Sequence, residues 1–204
     1  EVEAAILANP DAKAVLVNNP TYYGICSDLR KIVEIVHRHG MKVLVDEAHG
    51  THFYFGDGLP PSAMSCGADM ASVSVHKTGG SLTQSAILLL GKGIDPNYVR
   101  QIINLTQTTS ASYLLMVSLD LARQNLALHG REFYAKTVEF ADYARKEINA
   151  IGGYYAFGEE LCDGKAFYAF DRTKLSVHTR AMGLAGIEVY DLLRDEYDIQ
   201  IEFG

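Results

Sequence analysis

The sequence predicts an α/β fold with a mostly parallel sheet, followed by helices and by the opening of a smaller α+β unit that its 204 residues do not complete. Three observations carry this reading. Apolar, β-branched runs alternate with a helical stripe between residues 14 and 48, as in a β-α-β unit. Two runs, Val43-Leu-Val-Asp-Glu-Ala-His-Gly50 and Ser72-Val-Ser-Val-His-Lys-Thr-Gly-Gly80, end abruptly in ionisable residues, and buried parallel strands deliver side chains to a ligand at their carboxyl ends in this way. Gly152-Gly153 then breaks a helical stretch, and shorter segments begin afresh.

Val2, Ile6 and Leu7 hold helical spacing with no capping residue before them, so residues 1–9 are expected to be the tail of a helix and the chain to start within a domain. Residues 14–19 form the first strand, stopped by Pro20, and 21–24 a loop. Ser27 is the expected cap of a helix over 28–39, with its stripe at Leu29, Ile32, Val33 and Val36 and a left-handed Gly40 at its end. Residues 41–48 are the next strand, reached by a right-handed crossover and parallel to the first. The segment 49–65, rich in Gly, Pro and aromatics, has the character of a functional loop. A third strand spans 70–75; a fourth, 85–91, follows after too few residues for a helical crossover and is therefore antiparallel. Helices are expected at 97–104, 111–129 and 131–150, then a strand at 166–170, a helix at 179–197 and a strand at 199–203. On this reading residues 1–152 are part of a large domain lacking its N-terminal portion, and 153–204 begin an incomplete C-terminal α+β domain.

A net charge of -7 without a Lys/Arg cluster argues against nucleic-acid or anionic-membrane partners, which need a basic face. Cys26, Cys66 and Cys162 share no C-x-x-C spacing, so neither a disulfide framework nor a zinc knuckle is indicated, and a cytoplasmic location is the simplest expectation. Uninterrupted apolar runs such as 86–90 are far shorter than a membrane span, and Glu1-Val-Glu lacks the basic start of an export signal.

Asp46 and Ala48, two apart on a strand, point the same way and set a carboxylate beside a residue small enough for a flat ring to lie against. Ser74, three residues before Lys77, and Thr78 after it supply hydroxyls that can hold a phosphate near an amine. An acid paired with an amine suits a cofactor with a ring nitrogen to protonate and an aldehyde to capture as a Schiff base. Plainer readings make Asp46 a loop cap and Lys77 a solvated surface charge. Val43-Leu-Val-Asp-Glu-Ala-His49 also looks like the Walker B strand of a DEAH-type NTPase, but that class needs an upstream G-x-x-x-x-G-K-[ST] loop, and the Gly91-Lys92 pair lies downstream. Asp46, His49 and His52 are conceivable metal ligands, yet H-x-x-H lacks the helical H-E-x-x-H frame and the ligand count is short.

Asp46-Glu-Ala-His-Gly50, Ser74-Val-His-Lys-Thr-Gly-Gly-Ser-Leu-Thr-Gln84, Gln107-Thr-Thr-Ser-Ala-Ser-Tyr-Leu-Leu-Met116 and Leu192-Leu-Arg-Asp-Glu-Tyr-Asp-Ile-Gln-Ile-Glu202 together resemble the Orn/Lys/Arg decarboxylases, enzymes of the aminotransferase-like pyridoxal-phosphate fold type I. The resemblance implies that Lys77 forms the Schiff base with pyridoxal 5'-phosphate, Asp46 pairs with the ring nitrogen, Ala48 packs on the ring, Ser74 binds the phosphate, and His49 and His76 stand at the same site. It implies a homodimer in which Thr109, within Thr108-Thr109-Ser110, reaches the neighbouring subunit's phosphate. The implied reaction is decarboxylation of arginine, lysine or ornithine, with His76 or Lys77 returning a proton to Cα. Glu47 is one of several carboxylates that could meet the substrate's distal cation. Other fold-type-I enzymes, of aminotransferase or aldolase type, and a non-catalytic truncated homologue share these expectations of fold.

Overall fold

The computed structural model describes residues 1–202. Its centre is a four-stranded sheet in the order β1 (Ala14–Asn18), β3 (Lys42–Asp46), β4 (Met70–Val73) and β5 (Ile87–Leu90). The first three strands are parallel and β5 is antiparallel to β4. The fold class is therefore α/β with a mostly parallel sheet, as expected. Helix α2 (Leu29–Arg38) makes the crossover from β1 to β3, and Gly40 at φ +70° releases the chain from it.

The sheet packs on one face. Val43, Val45 and Ala71 meet Leu29, Val33 and Val36 of α2, Ile6 of α1 (Val2–Ala8), and Ala63, Cys66 and Ala68 of the loop before β4. Val73 and Val75 meet Ala122 of α5 (Tyr113–Ile151). On the other face Leu16 is 73% exposed and Asp46 and Ser72 are open. Register fixes which residues share that face, since Asn18 stands opposite Asp46 and Asp46 opposite Ser72. Asp69, just before β4, clamps the start of β3: it accepts the Val43 N–H at 2.8 Å and pairs with Lys42 and His37.

Several local expectations change. The cap of α2 is Asp28, whose side chain accepts the Lys31 N–H at 3.1 Å, while the Ser27 backbone N–H is held by Asn19 Oδ1 at 2.8 Å. β3 stops at Asp46, so Ala48 is not on the pleat; its N–H turns back to Asp46 Oδ1 at 3.1 Å. β4 ends at Val73, and α3 (Val75–Thr78) carries His76 and Lys77 on one short helical turn. After α4 (Pro96–Thr106), the two helices expected at 111–129 and 131–150 are one, the 39-residue α5, which ends at Gly152 with φ +83°. Short ribbons follow: β6 (Tyr155–Ala156) pairs with β8 (Val177–His178), and β2 (Ile25–Cys26) pairs with β7 (Ala169–Phe170), all that remains of the strand expected at 166–170. The helix expected at 179–197 is α6 (Gly186–Tyr197), separated by Gly183 at φ +72° from a 3-10 turn over Arg180–Met182. Residues 199–202 form no strand, and the last residue of that expected strand, 203, lies outside the described residues.

Gly130 explains the fusion. It is buried inside α5, where an added Cβ would stand 2.8 Å from Phe55 Cβ and 3.3 Å from the Phe55 carbonyl oxygen. Glycine there permits close approach between the helix and the loop after β3, and the surrounding turns carry the helix through. Gly130→Ala removes a helix penalty of about 1 kcal/mol but forces that contact apart, which costs about 1–3 kcal/mol in a packed interior. The expected outcome is a lower urea midpoint for Gly130→Ala; a raised midpoint would mean that the loop yields freely.

Candidate active site

The carboxyl ends of β3 and β4 lie side by side because their pairing is parallel and ends at Asp46 and Ser72. Asp46 is exposed, with one oxygen tied to the Ala48 N–H, and Ala48 is half-buried next to it. Ser74 occupies the position before α3, where its carbonyl accepts Thr51 Oγ1–H at 3.1 Å and the Lys77 N–H at 3.1 Å. Lys77 is exposed, and its Nζ lies 3.2 Å from His49 Nε2.

His49 sits among charges. Burial lowers its pKa first, and Lys77 and Lys174 lower it further, against the opposing pull of Glu202 and Asp46. The ring is thereby biased to its neutral form and can accept a hydrogen bond from the Lys77 ammonium. Tyr22 packs edge-on against it with ring centroids 5.2 Å apart. Burial and the neighbouring Glu202 carboxylate raise the Tyr22 hydroxyl. Asp46, His49 and Lys77 therefore belong to one electrostatic cluster, with Glu202 at its edge.

His76 points elsewhere on the same turn: its Nδ1–H donates to the Ser85 carbonyl at 2.9 Å, leaving Nε2 as the ring's basic position. Thr109 is exposed in the link between α4 and α5, where Thr108 Oγ1 accepts the Ser110 N–H, and no hydrogen bond among the described residues joins Thr109 to the other candidates.

Glu47 is not a substrate carboxylate. It is fully buried and accepts hydrogen bonds from Tyr54 Oη–H and from the Ala63 N–H, the latter at 2.7 Å. The same burial removes it from any Mg2+-nucleotide role of the DEAH type. His52, fully buried, has one ring nitrogen against Asp171 and the other against Thr78, so it does not join His49 as a metal ligand.

Sequence reasoning missed this last network. Asp171 is wholly buried, and its Oδ2 lies 2.8 Å from His52 Nε2 although the residues are 119 positions apart. The available signals were a histidine inside the aromatic run Thr51-His52-Phe53-Tyr54 and an aspartate immediately after the apolar pair Ala169-Phe170. Burial acts to raise the Asp171 carboxyl, but its bonds to His52 and Thr173 outweigh this and hold it below the usual range.

A parallel sheet whose strand ends gather a carboxylate, an imidazole, an amine and a serine is the architecture of the aminotransferase-like enzymes. The comparisons with known proteins are more specific. Residues 1–180 match the family model for the major domain of Orn/Lys/Arg decarboxylases, and the chain belongs to that family. It is 50% identical over 204 residues to an arginine decarboxylase of Halalkalibacterium halodurans, covering 100% of this chain and 42% of that protein. It is 47% identical over 201 residues to an arginine decarboxylase of Bacillus subtilis, covering 98% and 41% respectively. The chain thus spans about two-fifths of the length of these curated relatives. Among solved structures, an E. coli constitutive lysine decarboxylase superposes with a TM-score of 0.73 at 16% identity, over 100% of this chain and 34% of that one. An alanine–glyoxylate aminotransferase from Nostoc sp. gives 0.70 at 16% identity, over 100% and 55%. These two likenesses are of fold.

Burial pushes the Glu47 carboxyl up to about 7 from its ordinary 4.5, against the lowering from Tyr54 and Ala63. A folded-state value above the unfolded one adds stability that is complete below the unfolded value and is lost as pH rises through the folded one. Wild-type stability should fall between about pH 4.5 and pH 7 by an amount on the order of 3 kcal/mol from this group, at roughly 1.4 kcal/mol per pH unit. Glu47→Gln should flatten that slope in urea titrations across this range, and an unchanged slope would show that Glu47 does not titrate there.

Proposed function

We propose that this chain carries the catalytic core of a pyridoxal-phosphate-dependent decarboxylase of a basic amino acid. The observation that supports this most is the cluster of Asp46, His49 and Lys77 at the ends of two parallel strands, within a chain of the Orn/Lys/Arg decarboxylase family. Arginine is the favoured substrate, since relatives at 50% and 47% identity are named arginine decarboxylase.

The donor set fits the cofactor: a carboxylate for a pyridine nitrogen, an amine for an aldehyde, and a hydroxyl for a phosphate. Lys77 would hold the aldehyde carbon, Asp46 the protonated ring nitrogen, Ser74 the phosphate, and Ala48 and His49 the ring. When bound, the cofactor supplies an electron sink for the bond to the departing carboxylate. Asp46 sustains that sink by keeping a positive charge on the ring nitrogen. His49, held neutral by its surroundings, orients the Lys77 amine through the 3.2 Å contact. His76 Nε2 or Lys77 returns the proton to Cα. Glu202, beside Tyr22 and His49, is the carboxylate best placed in this chain to meet a distal guanidinium or ammonium.

The reading includes a cytoplasmic homodimer and a division into a large domain over 1–152 and the start of a C-terminal domain from 153. Leu105 on α4 and Leu114, Leu121 and Leu128 on α5 are all at least 58% exposed, an apolar surface suited to a second subunit. Thr109 lies between these helices, where such a subunit would meet it.

Asp46→Asn tests the reading in a chimera that joins this chain to the flanking segments of an arginine decarboxylase relative. The substitution keeps shape and removes charge, so the cofactor absorbance should persist while kcat for arginine falls roughly 10²-fold or more, the loss typical of one preorganised electrostatic group. Decarboxylation at the wild-type rate with cofactor bound would remove Asp46 from its role. The 204-residue chain by itself is expected to turn over arginine, lysine and ornithine far more slowly than the chimera, because positioning supplies much of a catalyst's advantage. Equal rates would contradict this.

A further inference from the structure

The short turn that carries Lys77 is gripped from three sides. Thr51 Oγ1–H donates to the Ser74 carbonyl at 3.1 Å. Tyr134 of α5 donates its hydroxyl proton to the Thr78 carbonyl at 2.6 Å. Thr78 Oγ1 lies 3.2 Å from His52 Nδ1. The last grip leads furthest, because the other nitrogen of His52 is fixed by Asp171, at the end of β7.

The hydrogen-bond directions around Asp171 follow from its neighbours. Thr173 Oγ1–H donates to Asp171 Oδ1 at 2.7 Å, and the Thr173 N–H reaches the same oxygen at 3.1 Å. Thr173 Oγ1, its proton committed, accepts from His52 Nε2 at 3.3 Å, while Asp171 Oδ2 accepts from it at 2.8 Å. Nε2 therefore carries a proton, and Nδ1 is the atom that meets the Thr78 hydroxyl. His52 is 1% exposed and Asp171 0%, so water does not compete for these bonds. The His52 ring is further walled by Phe53 and Tyr134 at centroid distances of 4.7 and 5.5 Å. Asp171 is tied to the rest of the fold by its own N–H, which donates to the Gly24 carbonyl at 2.8 Å, beside the Thr21–Gly24 loop whose Tyr22 packs on His49.

We propose that His52 and Asp171 are positioning residues: the chain Asp171–His52–Thr78 locks the turn that presents Lys77 to the β2–β7 ribbon, so that residues 169–173 hold the lysine amine in place. A buried pair of this kind is expensive to desolvate and loses its compensation when either partner is removed, which suits it to enforcing one arrangement. The proposal rests on the reading of Lys77 as the cofactor lysine only for its consequence in chemistry; the mechanical link stands on the contacts alone.

The test uses Thr78→Val, which removes the hydroxyl with little change of shape, together with Thr78→Ser, which restores it, and Asp171→Asn. Two quantities are measured on the full 204-residue chain and on the chimera with the relative's flanking segments. The first is hydrogen exchange at the Lys77 and Gly79 amides, compared with amides of the β1–β3 ladder. The second is the rate at which added pyridoxal phosphate is captured at Lys77. Thr78→Val and Asp171→Asn should speed exchange in the turn about five- to tenfold, as loss of one hydrogen bond predicts, while the ladder keeps its protection. Capture at Lys77 should slow severalfold, and Thr78→Ser should recover both values. Unchanged exchange in the turn overturns the proposal, as does equal acceleration in the turn and the ladder, which would mark a merely structural role. Should the unaltered protein capture the cofactor at another lysine, the reading of Lys77 fails, and the exchange measurement still decides the mechanical link.

Discussion

The site depends on the parallel, in-register pairing of β3 with β1 and β4. That register sets Asn18, Asp46 and Ser72 across from one another, and it makes the chain leave β3 and β4 on the same edge of the sheet. From β3 the chain turns at Ala48 into the His49 loop, and from β4 it turns at Ser74 into α3, so the imidazole and the amine approach within 3.2 Å. A shift of β3 by one residue against its neighbours would send Asp46 into the packed face and separate these groups. Everything else positions or stiffens this edge. Asp69 anchors the start of β3, Glu47 binds the loop after it to Tyr54 and Ala63, and Gly130 lets α5 close over Phe55.

The electrostatics are graded with depth. At the surface, Asp46, Lys77, Lys174 and Glu202 surround a half-buried His49, whose burial and two cationic neighbours favour the neutral ring. Beneath them lie two wholly buried carboxylates treated in opposite ways. Burial dominates at Glu47, which is pushed up to about 7, while the His52 and Thr173 bonds dominate at Asp171, which is held down. One carboxyl can therefore act as a proton-bearing strut, and the other remains a charged anchor.

Much of this was legible in the sequence. The apolar stripe of 28–39 and the glycine after it marked α2, the abrupt passage of two apolar runs into ionisable residues, Asp46-Glu47 and His76-Lys77, marked the reactive edge, and the short link before residue 85 marked an antiparallel β5. What escaped depended on contacts distant in sequence or on local competition. Gly130 reads as a helix break unless Phe55 is known to press against it. Ser27 reads as the cap although its neighbour Asp28 takes that role one residue later. Ser74 and Val75 read as the end of a strand, which β-branched Val75 favours, yet they cap and begin a helical turn in which the Lys77 N–H reaches the Ser74 carbonyl. The His52 and Asp171 pair joins residues 119 positions apart, beyond any local pattern.

The central claim is that Lys77 is the amine this fold presents to an aldehyde. Borohydride reduction of the protein after incubation with pyridoxal phosphate, followed by peptide mapping, examines it directly. The account predicts a single reduced adduct on the peptide containing Lys77, where the strand edge, the turn and His49 converge. An adduct on Lys92 or Lys165, with none on Lys77, would contradict it.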